Sequence, residues 1–302
     1  MAVNSVSTYA IFQSTLTDMN KVETDLNNEQ MQLSSGSKAQ NFAGMADNVQ
    51  QYLSLDATIA KTNQYLNDNQ LVETRINTTS SVLSQVVDIA TSLQSLISQR
   101  LSSAGNNSAF GTQLQGVWQQ LTGQLNTSVD NQYLFSGTAV NTPPVNATDF
   151  PALQQSGVPD AGYYQGNQQN ITVSAQDNTS VTYNVRADAP AFQQLFAGLA
   201  MAQQGDQLNS SNALSQAETL VQSGLQGIIN IQATVNTNKV NYTTIDQNLN
   251  NLKLYWQGIL QSLGNTDVVA VSTQVAINQG ILQAAFQAFA KISSLRLSDY
   301  LK

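Results

Sequence analysis

The chain has 302 residues and a formal charge of −8, and only 10% of its residues are charged, so it offers no basic footprint for nucleic acid or for an anionic membrane surface. It has no Cys and no His. That excludes disulfides and thiolate metal sites, removes the commonest general base and zinc ligand, and leaves no cofactor expected.

No apolar run near the start forms a signal-peptide core, and runs such as Val268 to Val271 hold about four residues against the ~20 that span a membrane. A soluble protein is expected, exported, if at all, without a cleaved Sec-type signal. Gln, Asn, Ser and Thr supply most of the polar surface, which suits subunits that pack against copies of themselves.

The first predicted element is a helix over Thr8 to Leu33, with Phe12, Leu16, Met19, Val22, Leu26 and Leu33 on one thin heptad stripe. Gly36 is placed to supply its left-handed cap. Asp18, Glu23, Asp25 and Glu29 are read as a solvated face rather than a catalytic carboxylate pair, because nothing around them resembles a cleft.

After a break at Gly36 to Gly44, a long helix is predicted from Ala46 to Leu101. Its stripe runs Tyr52, Leu55, Ile59, Thr62, Leu66, Asn69, Glu73, Ile76, Ser80, Leu83, Val87, Ala90, Gln94 and Ile97. Val86, Ile89, Leu93 and Leu96 add a second apolar face, predicted to meet another element. A turn at Gly105 to Ser108 leads into a shorter helix, 110–129, carrying Leu114, Val117, Trp118, Leu121 and Leu125.

Residues 130–210 have a different pattern. Asn131 to Thr138 reads as a strand entering a turn, and all five Pro residues fall between Pro143 and Pro190. Strand-like runs follow at Tyr163-Tyr164, Ile171 to Val173 and Ser180 to Val185, with Asp177-Asn178 as a hairpin turn. Asp149, Asp160, Asp177 and Asp188 show no acid–base pairing. Phe192 to Met201 returns to helix.

From Ser211 to Leu263 one stripe recurs every three and four residues without a proline, from Leu214, Ala217, Val221, Gly224 and Ile228 through Tyr242 and Leu249 to Leu252, Trp256, Ile259 and Leu263. Such a helix is about 80 Å long and needs an equally long partner. Helix 46–101 has the matching length, so an antiparallel rod is predicted, with Trp118 and Trp256 in its core. Thr266 or Asp267 caps a last helix whose heptads are Val268, Val271, Val275, Asn278, Leu282, Ala285, Phe289 and Ile292, continued by Leu295, Leu297 and Leu301. The stripes of the two terminal helices are too thin to hold those helices alone. They are predicted to be mobile in a free subunit and to order against neighbouring copies.

The expected fold is mainly α: a long antiparallel helical rod or coiled coil, with paired terminal helices and a small inserted β-rich domain. Residues 1–44 and 265–302 would form the inner assembly domain. Residues 45–140 and 191–264 would form the two halves of the rod, and 141–190 the β-rich insert.

This plan resembles the flagellin family over nearly the whole chain. Leu33-Ser34-Ser35-Gly36 stands where that family carries its LSSG signature. Tyr133-Leu134-Phe135-Ser136-Gly137-Thr138 with Asn141-Thr142-Pro143-Pro144, and the ending Leu295 to Leu301 with Tyr300, are similar to the hook-associated branch. The resemblance implies a secreted, extracellular, non-enzymatic subunit of the bacterial flagellum, joining hook to filament. Its implied partners are copies of itself, hook-associated protein 1 on the hook side, flagellin on the filament side and a flagellar type III export chaperone. Nucleic acid and membrane are not among them. The assembly interface would lie on Phe12, Leu16, Met19, Val22, Leu26, Leu33, Val271, Val275, Leu282, Ala285, Phe289 and Ile292. A filament flagellin is the alternative. An enzyme in the insert is disfavoured by the missing His and Cys. An intracellular homodimeric coiled coil is disfavoured by the in-chain partner.

Overall fold

The computed structural model describes residues 2–39, 48–103, 108–147, 150 and 162–300, with backbone only at 2–9, 11, 108 and 292–300. The expected turn at Gly105, Pro151, Pro159, Asp149, Asp160 and Leu301 lie outside the described residues. So do the side chains of Ile292, Leu295, Leu297 and Tyr300.

Six helices carry the described residues: α1 (Ala2–Ser35), α2 (Val49–Ser102), α3 (Ser108–Leu125), α4 (Pro190–Gln207), α5 (Ser211–Gly264) and α6 (Val268–Tyr300). Among the described residues, two small antiparallel hairpins lie between α3 and α4, β1 (Ser128–Val129) with β2 (Gln132–Tyr133), and β3 (Thr172–Gln176) with β4 (Thr179–Thr182). The predicted long helices are present and of equal length. The strand expected over Asn131 to Thr138 is shorter than the pattern suggests, and Tyr164 makes only an isolated bridge to Val145.

The chain divides into two compact units, Met1–Ala60 with Leu252–Lys302, and Lys61–Asn251. In the second unit, α2 and α5 run antiparallel. Ser80 Oγ donates to Asn236 Oδ1 at 3.1 Å, and Gln232 Nε2 donates to Ser84 Oγ at 2.7 Å. Four residues forward on α2 are thus matched by four back on α5. Thr243 with Glu73 and Ser98 with Glu218 keep the same step.

The buried line of α2 differs in part from the expected stripe. Thr62, Asn69, Ile76, Leu83, Ala90 and Ile97 are buried as predicted, but the alternating positions are Val72, Thr79, Val86, Leu93 and Arg100. Glu73, Ser80, Val87 and Gln94 are only half-buried. One core cluster joins α2 to α3 and α4 as well as α5, so its buried arc is wider than a two-helix seam and turns toward the bulkier residues.

Helix α4 starts at Pro190, where the missing N–H is not needed, and runs further than Phe192–Met201. It ends through Asn209 at φ 50°, with the Ser210 N–H donating 2.8 Å to Gly205 O; Ser210 Oγ then accepts from the Ala213 N–H and starts α5. Helix α4 lies so close to α5 that a Cβ on Gly224 would fall 2.8 Å from Leu195 Cγ and 2.9 Å from Ala191 O. Gly224 in the predicted stripe is therefore a contact point, not a gap. Trp118 is core, 5.1 Å edge-on to Phe196, with its Nε1 donating to Ala147 O. Arg100 is 3% exposed and binds Asp206 through Nε at 2.6 Å and Asn209 through a second guanidinium nitrogen at 2.9 Å. Residues 141–147 and 162–190 share this unit's core through Val145, Ala175, Tyr183 and Val185.

In the first unit the end of α5 is less buried than its sequence implies. Trp256, Ile259 and Leu263 are half-buried and Leu252 is exposed, so Trp256 is not a core residue in the sense that Trp118 is.

Candidate assembly interface

Helices α1 and α6 form the antiparallel pair of the first unit, and the residues just after α1 and just before α6 fix how the two helices meet. Gly36 takes φ +70° and its N–H donates 2.8 Å to Gln32 O, closing α1. Its own carbonyl accepts from Thr266 N at 2.9 Å, while Lys38 N donates to Gly264 O at 2.7 Å, and Ser37 bridges Asn265 antiparallel. Ser35 Oγ accepts from the Ser37 N–H. The Leu33-Ser34-Ser35-Gly36 signature is therefore a crossover built against a second crossover, Gly264 to Asp267. Of the two predicted caps of α6, Asp267 is the one used: its Oδ1 accepts from the Val269 and Ala270 N–H groups.

Along the pair, the rings of Phe12 and Phe289 lie 5.1 Å apart. Met19 and Val22 face Leu282 and Ala285 across a shallow groove that Asp18 and Ile281 also line. Phe12, Leu16, Met19, Val22, Leu26, Leu33, Val271, Val275, Leu282, Ala285 and Phe289 are all half-buried, and none is fully enclosed. Val268, read as a heptad position, is exposed because it stands in the first turn of α6. Among the described residues, the one buried seam residue of α6 is Asn278, whose Nδ2 donates 2.8 Å and 3.0 Å to the two carboxylate oxygens of Glu29. Glu29 is thus a seam residue and not a member of the solvated face, whereas Asp18, Glu23 and Asp25 are exposed. Beside the seam stand exposed Met31, Val269, Ile277, Ile281 and Phe286. Two helices can cover only one stripe of each other, and this pair carries more apolar surface than that stripe.

The second signature lies in the other unit. Asp130 and Asn131, both at positive φ, turn β1 into β2 as a two-residue hairpin. Tyr133 pairs with Ser128, Leu134 is buried, and Phe135 is fully buried with its carbonyl accepting from Ala187 N at 2.9 Å. Ser136 is fully buried, Gly137 turns at φ +68°, and Thr138 leaves the core. Asn167 binds both sides of this turn: its N–H donates to Ser136 O, its Oδ1 accepts from Thr138 N at 2.8 Å, and its Nδ2 donates to Thr138 Oγ1 at 2.6 Å. A Cβ on Gly137 would sit 2.4 Å from Asn167 O. The segment is a docked turn, and Asn167 is its receptor. Sequence reasoning did not single out Asn167; its only signal is the neighbouring Gly166, whose Cβ would strike Ser136 O at 2.5 Å.

Among the described residues, no cluster of His, Cys, Asp and Glu could hold a metal, and no helix is long and apolar enough to cross a membrane. Asp177 accepts from Lys61 at 2.5 Å and from Tyr65 at 2.8 Å; these bonds hold its carboxyl below the usual range. Asp188 is paired with Arg186. Both carboxylates tie the fold together.

Residues 6–140 match the bacterial flagellin N-terminal helical region. No curated protein matches the sequence. Among solved structures, FlgL of Bacillus cereus superposes with a TM-score of 0.55 at 18% identity, covering 70% of this chain and 99% of that one. FlgL of Xanthomonas campestris gives 0.53 at 12% identity over 68% and 98%. A protein of Vibrio parahaemolyticus described as a candidate flagellar hook-associated protein gives 0.56 at 14% identity over 71% and 96%. Residues 6–140 thus resemble the flagellin N-terminal helical region, and about seven-tenths of the chain has the fold of these three neighbours.

Proposed function

We propose that this chain is the hook–filament junction subunit of the bacterial flagellum, corresponding to hook-associated protein 3. The observation that carries the reading is the α1–α6 pair, whose predicted interface residues, where their side chains are described, are half-buried while Ile277, Ile281 and Phe286 stand exposed beside them. A helix pair in that condition is completed by further copies, and assembly would supply the missing burial. The Tyr133 to Thr138 segment and the fold shared with structures named FlgL favour the junction over the filament. The role is structural, with no chemistry on a substrate. The protein acts outside the cell after type III export, in a ring of its own copies, with hook-associated protein 1 on the hook side and flagellin on the filament side. An export chaperone would hold the terminal segments beforehand.

Immunolabelling of sheared flagella tests this. A junction subunit gives one spot per flagellum at the hook boundary, and its deletion leaves hooks without filaments. Labelling along the filament would replace the reading with the alternative, a filament flagellin.

A further inference from the structure

Near the middle of the Lys61–Asn251 unit a buried polar cluster joins three elements. Asn69 on α2 is fully buried, and its Nδ2 donates 2.7 Å to Asp246 Oδ1 on α5 and 3.0 Å to Ala175 O on β3. Both partners are acceptors, so the orientation of the amide is fixed by its bonds. Its Oδ1 is left buried with no partner. An ionised carboxylate can only accept, and so cannot satisfy that oxygen.

We propose that Asp246 and Asn69 form a proton-dependent latch. When the Asp246 carboxyl takes a proton from solvent, its second oxygen donates to Asn69 Oδ1, closing a two-bond acid–amide ring that holds α5, α2 and β3 together. No covalent bond changes; one proton is taken up.

The surroundings favour uptake. Burial, first, and the charge of Glu73 on α2 raise the Asp246 pKa, and the Asn69 hydrogen bond offsets them in part. On its own helix Asp246 has Tyr242, whose buried hydroxyl is pushed up to about 12 by burial, by Tyr183 and by Asp246 itself. From the hairpin side Tyr183 receives the Arg75 guanidinium, which also binds Gln132. A carboxyl whose folded pKa lies above its unfolded value of 3.8 adds stability as pH falls through the folded pKa, in full only below 3.8.

The test uses the full chain with Trp256→Phe, so that Trp118, in the same unit, reports urea unfolding. Asp246→Asn places a permanent donor opposite Asn69 Oδ1. At pH 7 this variant is expected to unfold at higher urea than the parent, with the gap lost as pH falls toward 4. A gap equal at both pH values, or a parent more stable at pH 7, overturns the latch. Tyr242→Phe should keep the closing gap; its loss would make the Tyr242 hydroxyl the donor to Asn69 and overturn the proposal. Should the variants not fold, carbon NMR of the Asp246 carboxyl and the Asn69 side-chain amide in the parent decides. The two signals are expected to titrate together, with a midpoint above 3.8, and independent titration overturns the latch.

Discussion

Asn278 of α6 donates to both carboxylate oxygens of Glu29 on α1, from the only buried described seam position of either terminal helix. A polar pair in an apolar heptad seam sets register more than it adds stability. Asn278→Leu is expected to leave the helix pair formed but loosen its register. The chain has no Cys, so Met19→Cys with Leu282→Cys gives a clean readout. The crosslink should form in high yield with Asn278 present and in lower yield with Leu in its place.

Gly36 has open space where a side-chain methyl would go but sits at φ +70°. The cost of Gly36→Ala is therefore conformational, about 1–2 kcal/mol. Gly36→Asn, a residue that tolerates this region, should recover most of it. Thermal unfolding of the three proteins checks the order Gly, Asn, Ala.

Gly137 faces both constraints at once, a left-handed φ and Asn167 O within 2.4 Å of any Cβ. Gly137→Ala should therefore destabilise the Lys61–Asn251 unit by more than Gly36→Ala does its own. Asn167→Ala keeps the backbone bond to Ser136 O but removes the two side-chain hydrogen bonds to Thr138, a loss of about 1–3 kcal/mol at the usual net value per bond. Urea denaturation followed by Trp118 fluorescence measures both.

Arg100 is buried, at 3% side-chain exposure, against the half-buried Asp206, at 17%. Asp206→Ala leaves a buried guanidinium with no carboxylate opposite it and should cost about 3–5 kcal/mol. The double substitution Arg100→Met with Asp206→Leu should be far closer to the parent. A double-mutant cycle on unfolding free energy gives the coupling.

Asp177, fully exposed at the β3–β4 turn, is held ionised by Lys61 and then Tyr65. Its folded pKa lies below the unfolded value of 3.8, so the tie is present above that value and fades as pH falls through the folded pKa. Exchange protection of the hairpin amides should drop at acid pH in the parent. In Lys61→Met it should be lower at neutral pH and less sensitive to acid. This is opposite in sign to the Asp246 latch, which strengthens on acidification.

The sequence by itself determined the helices, because three–four periodicity over fifty residues without proline admits no other element, and equal lengths paired α2 with α5. It also marked both signature turns, Gly36 as the left-handed cap of α1 and Asn131 to Thr138 as a strand entering a turn. Tertiary structure decided what periodicity cannot encode. The α2 stripe shifted by one position at every other step, from Glu73 and Ser80 to Val72 and Thr79, because a helix with several neighbours buries a wide arc and a seam count assumes one. Glu29 entered the seam because Asn278 faces it from more than two hundred residues away. Asn167 became the receptor of Ser136–Thr138 for the same reason: its partners are fixed by how the loops close, a fact that no local pattern of residues contains.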